Sequence, residues 1–372
     1  MISKPKARTR CITLKKSIRT VEELKKYIPL TRKEEKRLRE VVSIHPMKIT
    51  KYYLSLINKE DPNDPIRKLI VPSEEELCED GEYDVSDEKK NIKTKGLQHK
   101  YDQTAVIFPT NRCMAYCRFC FRKRLVGISQ KGVLRRFGDA LNYIKENKDI
   151  NNVLISGGDP LILSTKTIKV FLEELSKIKH IDFIRLGTRI PVVYPDRILK
   201  DRSLLRLLKK YSKKKRIYIN THFNHPREIT SESVEVINKL IKSDIIINNQ
   251  TVLLKGVNDS SDTLSKLLNE LVKIGVNPYY VFQCRPVKRV KKQFQVPLHK
   301  AYKIVEEAKK NLSGHSKSFK YVMSHSTGKV EITGIEGNEI FLKYHQAKDP
   351  KDIGKFFKKK LSKKAAWLDE LK

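Results

Sequence analysis

Apolar and polar positions along the middle of the chain follow two alternating periods. Short runs rich in β-branched and other apolar residues recur six times, at 104–109, 152–156, 183–188, 216–223, 245–254 and 277–284. Between these runs lie segments with helical periodicity, such as TIKVFLEELSKI and SDTLSKLLNELVKI. Strands that alternate with helices favour consecutive βαβ units. The pattern therefore predicts an α/β fold built on a parallel, barrel-like sheet.

The two ends of the chain follow other patterns. Residues 1–95 are polar with helical periods, as in VEELKKYIPLTRKEEKRLREVV, and predict an N-terminal helical extension to a core at 96–330. Residues 331–372 predict a short C-terminal tail of mixed β and helical character. The β-like segment KVEITGIEGNEIFLKY leads into this tail, and the basic end, FFKKKLSKKAAWLDELK, predicts a helix.

The least common short motifs fall where the predicted strands end. A cysteine-rich segment follows the first strand, SGGDP the second, GTR the third, THFNHP the fourth and CRP the sixth, whereas NNQ lies within the fifth. The carboxyl ends of parallel strands meet at one end of a sheet, where α/β enzymes carry their chemistry. The order of the motifs therefore predicts a single site at that end.

Composition and charge narrow the class of protein. The 372 residues are 39% hydrophobic, which allows a sizeable core, and their net charge of +35 invites nucleic-acid binding. The lysines are spread over both ends and every predicted helix, without a recognition motif, so nucleic acid is not expected to be the main partner. No run approaches the roughly 20 apolar residues of a membrane span. The start, MISKPKARTR, has no apolar run behind its charges, so a cytoplasmic protein is expected.

Three of the six cysteines are clustered, which predicts a metal or redox centre rather than a disulfide framework. Cys113, Cys117 and Cys120 follow the first strand with the spacing C-x3-C-x2-C. The others, Cys11, Cys78 and Cys284, are isolated. Three thiolates on an iron–sulfur cube leave one iron open for a substrate or cofactor. A zinc site completed by Cys284, or ordinary buried cysteines, are the alternatives.

The cluster resembles the C-x3-C-x-Φ-C signature of radical S-adenosylmethionine enzymes, with Phe119 as the aromatic residue. More of the chain, about 51–332, is similar to the lysine 2,3-aminomutase family. The segments that carry this likeness are KYYLSLINKEDPNDPIRKLIVPS, HKY, CRFCFRKRLVG, VLISGGDPL, RLGTRIPVVYPDRI, THFNHPREIT, NNQTVLLKGVND, PYYVFQC and HSTGKVEI. The resemblance implies a partial (β/α)6 TIM-like barrel and an isomerase that moves an amino group from C2 to C3 of an amino acid. It implies a [4Fe–4S] cluster, S-adenosyl-L-methionine and pyridoxal 5′-phosphate as cofactors.

The resemblance also assigns roles to polar residues after the strands. Gly157, Gly158 and Asp159 would hold the methionine amino group of S-adenosylmethionine, since glycines allow close backbone approach. Three donors at or beyond the ends of other strands would form a layer that serves S-adenosylmethionine and the pyridoxal phosphate group: Arg189, His222 and Gln250.

Further matches concern pyridoxal phosphate and the substrate. Lys329, in HSTGK, corresponds to the family's pyridoxal phosphate lysine, and Tyr101 to a tyrosine that contacts a cofactor. Arg122 corresponds to the arginine that pairs with the substrate α-carboxylate, a role that suits its planar guanidinium. The implied partners are a small amino-acid substrate and a reducing protein such as flavodoxin or ferredoxin. Self-association is left open.

Three features depart from the family pattern. Thr104 stands where an arginine near the pyridoxal phosphate group is usual. Arg285 and Val322 stand where true lysine 2,3-aminomutases grip the substrate ε-ammonium with two aspartates, whereas related glutamate 2,3-aminomutases place a basic residue at the first position. Because a cation at Arg285 would repel an ε-ammonium by about 1–4 kcal/mol, an acidic amino acid such as glutamate is expected. The zinc-binding cysteines of long family members are absent after Cys284.

Two other functions remain open from the sequence. A radical enzyme that modifies RNA or protein without pyridoxal phosphate would exploit the positive charge and would not need Lys329. A non-catalytic iron–sulfur electron carrier would require a fourth protein ligand and would not cleave S-adenosylmethionine.

Overall fold

A computed structural model describes residues 17–129, 132–134 and 136–372, so Cys11 lies outside the described residues. Within these ranges the strands form one sheet in which each strand neighbours the next along the chain. The strands are β1 (Ile92–Thr94), β2 (Leu97–Tyr101), β3 (Thr104–Ile107), β4 (Asn152–Ile155), β5 (Phe183–Gly187), β6 (Arg216–Thr221), β7 (Ile246–Leu253), β8 (Asn277–Gln283), β9 (Lys320–Ser324), β10 (Gly328–Glu336), β11 (Glu339–Ala347) and β12 (Phe356–Lys360). The predicted α/β class is confirmed.

Helices connect the parallel strands, and four of them lie in the described part of the N-terminal segment. The helices are α1 (Val21–Leu24), α2 (Arg32–Ile44), α3 (Lys51–Leu54), α4 (Pro65–Ile70), α5 (Phe137–Glu146), α6 (Thr165–Ser176), α7 (Ile190–Val193), α8 (Asp196–Leu199), α9 (Arg202–Ser212), α10 (Ser231–Ile241), α11 (Ser261–Lys273), α12 (Lys291–Phe294) and α13 (Leu298–Lys310). Ser164, Thr230 and Ser260 cap α6, α10 and α11, each accepting a hydrogen bond from a backbone amide three residues on. These caps fix where the motif-bearing loops end.

Strands β3 to β9 are parallel, and six of them correspond to the predicted runs. The register brings apolar residues side by side, with Ile107 opposite Ile155 and Ile155 opposite Leu186. The seventh parallel strand, β9, was not predicted; it follows α13 and places Val322 opposite Phe282 of β8. The flanks are antiparallel, with β1 and β2 before β3, and β10 to β12 after β9.

The basic C-terminal segment predicted as a helix is instead strand β12, followed by a loop and a 3-10 turn at Leu368–Glu370. Helical propensity is a weak preference that tertiary pairing overrides. Here β12 pairs with β11, which places Leu342 opposite Phe357. The ring of Phe356 also stacks on that of Phe341 at 6.0 Å.

The sheet curls until its two flanks meet. Lys100 on β2 donates from Nζ to the carbonyl oxygen of His325, just before β10, at 2.5 Å. Arg285, beyond β8, donates to the hydroxyls of Ser86 and Ser324, both at 2.8 Å. Because β3 to β9 stand between these flanks in the sheet order, the contacts enclose an interior space lined by the strands.

The N-terminal segment packs against α7, the helix that follows β5. The hydroxyl of Thr50 donates to the carbonyl oxygen of Val193 at 2.6 Å. The expected boundary at 95/96 lies in the turn between β1 and β2, and the one at 330/331 lies within β10, so sheet pairing continues across both. No helix formed by the described residues is long and apolar enough to cross a bilayer.

Candidate active site

The three clustered cysteines lie on the loop that follows β3, at the carboxyl end of the parallel strands. The amide of Cys120 donates to the carbonyl oxygen of Cys117 at 3.3 Å, and Lys48 Nζ donates to that of Cys113 at 2.7 Å. Burial raises the pKa of the Cys113 thiol well above its ordinary value and that of Cys120 to about 11. The site therefore disfavours free thiolates, and a bound metal centre would compensate for that cost.

The donor set suits an iron–sulfur cube better than a single metal ion. No three His, Cys, Asp or Glu side chains in the described ranges are arranged to hold one metal ion. Cys117 and Cys120 still lie near enough to Cys113 to help raise the pKa of its thiol. A cube binds each thiolate through a different iron, so its ligands stand farther apart than those of zinc. The isolated Cys284 is buried at the end of β8.

Arg189, which follows β5, connects the cysteine loop to the barrel interior. Its Nη1 lies 2.9 Å from the sulfur of Cys117, and its Nε donates to the carbonyl oxygen of His222 at 3.1 Å. Nη2 forms an ion pair with Glu228 and a 3.0 Å contact with the hydroxyl of Tyr53. The sequence prediction named Arg189 but missed Glu228 and Tyr53, which hold the guanidinium beside the sulfur.

The aromatic residue of the cysteine motif lies against the same guanidinium. The Arg189 Cζ is 5.3 Å from the ring centroid of Phe119. An arginine over an aromatic face gains a cation–π attraction that also restricts its rotation. Phe119 thus contributes to the position of Arg189 next to Cys117.

The glycine turn after β4 packs directly against the start of the cysteine loop. The amide of Gly158 donates to the carbonyl oxygen of Thr110 at 2.7 Å. Gly157 has φ +104°, and a Cβ on Gly158 would meet the carbonyl oxygen of Arg112 at 2.1 Å. Both positions therefore require glycine, because any side chain would push the two loops apart.

Asp159 is buried and its carboxylate has three protein partners. It accepts hydrogen bonds from the hydroxyl of Thr188 at 2.7 Å, the amide of Arg189 at 2.8 Å and the amide of Leu161 at 3.0 Å. These bonds join the ends of β4 and β5. In this structure Asp159 positions the glycine turn and Arg189, and its predicted direct contact with a methionine amino group stays a prediction.

His222 lies just beyond β6, and one of its buried ring nitrogens is available for a hydrogen bond to a ligand. Its Nδ1 has no hydrogen-bond partner among the described residues. Burial, with a smaller contribution from Arg189, lowers the imidazole pKa to about 4, and a hydrogen bond to the backbone of Gln250 opposes this shift. The ring is neutral near pH 7, and its orphaned nitrogen fits a polar cofactor lying over the layer that also includes Gln250.

Lys329 lies at the start of β10, between two aromatic rings. Its Nζ is 5.2 Å from the ring centroids of both Tyr101 and Tyr280, and it donates to Gln346 Oε1 at 2.5 Å. Burial lowers the pKa of this ammonium to about 7, and neighbouring cations, first among them Arg185, add to the effect. An amine that is uncharged for half of the time near neutral pH suits covalent capture of an aldehyde.

Arg122 already has a carboxylate partner from the protein. Its Nε donates to Glu88 Oε1 at 2.8 Å, and its Nη1 to the hydroxyl of Ser156 at 3.3 Å. The guanidinium carbon lies 4.5 Å from the Phe108 ring centroid and 4.4 Å from that of Phe121. Glu88 was missed by the sequence analysis, and it fixes the orientation of the arginine predicted to bind the α-carboxylate.

Arg285 lies near Arg122 but has no carboxylate of its own. Its Nη1 donates to the hydroxyl of Ser86 and its Nη2 to that of Ser324, and its Cζ lies 4.0 Å from the ring centroid of Phe121. It forms no ion pair within the part of the chain that the structure describes. The structure therefore brings both predicted substrate arginines to one ring, with Arg285 available for an anion.

A buried network of ion pairs between Glu76, Arg118 and Lys123 stabilises the cysteine loop. Glu76 is fully buried and accepts hydrogen bonds from Arg118 at 2.5 and 2.7 Å and from Lys123 Nζ at 2.5 Å. Arg118 stands between two cluster cysteines in the sequence and also donates to the carbonyl oxygen of Pro46 at 3.1 Å. One carboxylate therefore compensates two buried cations that flank Cys120.

Replacing Glu76 with glutamine is expected to destabilise the protein and reduce its iron content. Removing one partner of a buried ion pair typically costs about 3–5 kcal/mol, and here the two remaining cations would repel each other. Denaturant unfolding and the iron bound after anaerobic reconstitution measure the effect. The control is Glu79→Gln, since Glu79 is an exposed partner of Lys288 and Arg289. Equal behaviour of the two variants would contradict the role of Glu76.

The comparisons with known proteins agree with this geometry. A profile described as the radical SAM superfamily matches residues 107–268, from the end of β3 into α11. The fold and the site thus define a radical S-adenosylmethionine enzyme. A "Putative L-lysine 2,3-aminomutase" of Aquifex aeolicus is 42% identical over 357 residues, covering 95% of each chain. The chain belongs to the lysine 2,3-aminomutase family.

Two further relatives are named for different substrates. The "L-lysine 2,3-aminomutase" of Clostridium subterminale is 38% identical over 86% of this chain and 80% of its own. The "Glutamate 2,3-aminomutase" of Clostridioides difficile is also 38% identical, over 81% of this chain and 70% of its own. The family is one of isomerases that use a [4Fe–4S] cluster, S-adenosylmethionine and pyridoxal phosphate. Family membership alone does not separate the two substrates.

Proposed function

We propose that this protein is a 2,3-aminomutase that acts on an acidic amino acid, with glutamate as the best candidate. The observation that carries the proposal is Arg285, a partly buried arginine that donates hydrogen bonds to two hydroxyls. Such a cation favours a ligand carboxylate, because a buried charge is stable only when it is paired.

The surroundings of Arg285 add to this preference. Burial lowers its pKa to about 10; Glu88, the partner of Arg122, opposes this shift and Arg122 adds to it, so Arg285 stays charged near pH 7. Lys100 also lies close, since Arg285 helps lower the pKa of that ammonium to about 7. Val322, the second position expected to differ from lysine-specific enzymes, is a fully buried apolar residue of β9. Arg285 and Lys100 would therefore repel a substrate ε-ammonium, which requires carboxylates for binding.

Different groups of residues in the site would bind the different cofactors. Cys113, Cys117 and Cys120 would hold the cluster, and the glycine turn with His222 would hold S-adenosylmethionine above it. When bound, the cluster and S-adenosylmethionine would supply a 5′-deoxyadenosyl radical, and pyridoxal phosphate would carry the amino group that moves. Lys329 would hold pyridoxal phosphate until the substrate amine takes its place. The protein orients the substrate through its arginines and excludes water from the enclosed interior, which matters because a radical reacts with the nearest hydrogen.

The test is a comparison of substrates with anaerobically reconstituted enzyme. Glutamate, aspartate and lysine are supplied separately, and the 3-amino products and 5′-deoxyadenosine are measured. Glutamate or aspartate is expected to have the highest kcat/KM. A clear preference for lysine would overturn the acidic-substrate proposal. Formation of 5′-deoxyadenosine without any 3-amino product would overturn the aminomutase reaction and favour the RNA- or protein-modifying alternative.

The electron needed to start the reaction must come from outside the chain. Radical S-adenosylmethionine enzymes use a reductant, and we propose a small reducing protein such as flavodoxin or ferredoxin. The net charge of +35 favours an acidic partner of this kind. Reduction of the cluster by flavodoxin that slows steeply as salt is added is the expected result, and a rate independent of salt would contradict it.

Attachment of pyridoxal phosphate is expected to speed up between about pH 6 and pH 8. Only the uncharged amine of Lys329 reacts with an aldehyde, and with a pKa of about 7 its uncharged fraction rises through this window. An exposed lysine, with a pKa near 10.4, would give a rate that still climbs well above pH 9. Stopped-flow absorbance of the bound pyridoxal measures the rate, and a profile without a plateau above pH 8 would count against the lowered pKa.

A further inference from the structure

Arg185, in the middle of β5, is a partly buried arginine that the functions described so far do not use. Its Nη2 donates to the side-chain oxygen of Asn152 at 2.5 Å and lies 3.5 Å from the hydroxyl of Thr104. Its Nε is buried and has no hydrogen-bond partner among the described residues. Both of its partners are neutral, and it forms no ion pair in the described ranges. A guanidinium with only neutral partners in such surroundings is stabilised by binding an anion.

Arg185 lies on the side of the sheet where Lys329 is held. Thr104, which Arg185 contacts at 3.5 Å, pairs with Tyr101, and the Tyr101 ring centroid lies 5.2 Å from Lys329 Nζ. After burial, Arg185 is also the strongest of the cations that lower the pKa of the Lys329 ammonium. Burial lowers the pKa of Arg185, and Tyr279 and Tyr280 of β8 oppose that shift. The interior around Lys329 is therefore cationic and bounded by tyrosines, which favours a ligand with more than one negative charge.

The other arginines of the site are arranged differently. Arg122 and Arg285 lie over one ring, that of Phe121, at 4.4 and 4.0 Å. Arg185 instead lies 6.0 Å from the ring centroid of Phe183, on its own strand, and beside the first residues of β3 and β4. The two carboxylates of an acidic substrate thus have two arginines already, and Arg185 is left for a different anion.

We propose that Arg185, with the hydroxyl of Thr104, binds the phosphate group of the pyridoxal phosphate that Lys329 holds. The inference rests on the proposed use of that cofactor and assigns a residue to it. A phosphate monoester is close to doubly charged at neutral pH and accepts hydrogen bonds from a planar guanidinium at two points. Nε is free for one of these, and Nη2 can exchange its long contact with Thr104 for the other. Arg185 is a binding residue in this role.

The test compares pyridoxal phosphate with pyridoxal, which lacks the phosphate. Reconstituted wild type and Arg185→Met are titrated with each compound, and the visible absorbance of the bound form gives the affinity. The variant is expected to lose about 10- to 100-fold of the preference for pyridoxal phosphate over pyridoxal, as expected for a charged hydrogen bond. A change in the reactivity of Lys329 would affect both compounds alike and cancels in this ratio. Arg206→Met, at an exposed position of α9, is the matched control and should behave as wild type.

Each other result has a defined meaning. If Arg185→Met keeps the full preference for the phosphorylated compound, the inference is wrong and the proposed function stands. If wild type binds neither compound through Lys329, the proposed function itself fails. If Arg185→Met does not fold, Thr104→Val and competition by inorganic phosphate decide: weaker competition in Thr104→Val than in wild type supports the site, and unchanged competition overturns it. A changed glutamate-to-lysine ratio with unchanged phosphate preference would make Arg185 a substrate residue and also overturn it.

Discussion

Lys329→Ala is expected to abolish the visible absorbance of bound pyridoxal and to lower amino-acid turnover by roughly a thousandfold or more, as removal of a covalent group usually does. The reason is the environment of this one amine. Burial and three neighbouring cations hold its pKa near 7, so it is reactive where the exposed lysines of this lysine-rich chain are charged. Its position between Tyr101 and Tyr280 also aims it at the barrel interior.

The control for this variant is Lys320→Ala. Lys320 lies on the adjacent strand β9 and is a partly exposed partner of Glu331. It should keep both the chromophore and turnover. Iron content and slow cleavage of S-adenosylmethionine should survive in Lys329→Ala, because the cysteine loop is distant in sequence and separately supported by Glu76. A Lys329→Ala protein that retains the absorbance and the turnover would remove pyridoxal phosphate from this site.

The parallel strands could be predicted because burial on both faces requires continuous apolar runs. Ala105, Ile107 and Val153 are fully buried examples from β3 and β4. Strand β9 was not predicted from the sequence because it is only five residues long and begins with Lys320. Strand β12 was mistaken for a helix because its lysines have good helical propensity, whereas its structure depends on pairing with β11, which no local pattern reveals.

The site was predictable where one short motif carries the function and less so where distant residues cooperate. The cysteine loop could be named from its local spacing, whereas the roles of the glycine turn and Lys329 were named through the family resemblance of the motifs around them and stay predictions. Glu88, Glu76 and Glu228 could not, since they pair with arginines 34 to 42 residues away and nothing marks them among 43 acidic residues. The one available signal for Glu228 was its place in the THFNHPREIT motif after β6.

Arg185 illustrates a further limit of sequence reasoning. A strand of alternating burial predicts which residues face inward, but it does not tell whether an inward arginine meets a carboxylate or remains without one. Only the arrangement of β3, β4 and β5 shows that Asn152 and Thr104 are its neighbours. The absence of a charged partner in the described residues is what turns an ordinary inward position into a candidate binding position.

Arg285→Asp is expected to reverse the substrate preference from glutamate towards lysine. The substitution replaces a cation that would repel an ε-ammonium with a carboxylate that would attract it. Each contribution is worth about 1–4 kcal/mol at a few ångströms, so the ratio of kcat/KM for glutamate over lysine should fall by about 30-fold or more. Ser86 and Ser324 would remain as hydrogen-bond donors to the new carboxylate.

A neutral variant separates the two contributions. Arg285→Met removes the attraction for a side-chain carboxylate without creating one for an ammonium, so it should lose glutamate turnover and gain little with lysine. The α-carboxylate is held elsewhere, by Arg122 with its partner Glu88, so KM for both substrates should not rise together in either variant. If both variants lower the two activities in parallel, Arg285 supports the structure of the site and does not read the substrate side chain. A glutamate-to-lysine ratio that falls stepwise from wild type to Arg285→Met to Arg285→Asp is the result that assigns specificity to the charge at this position.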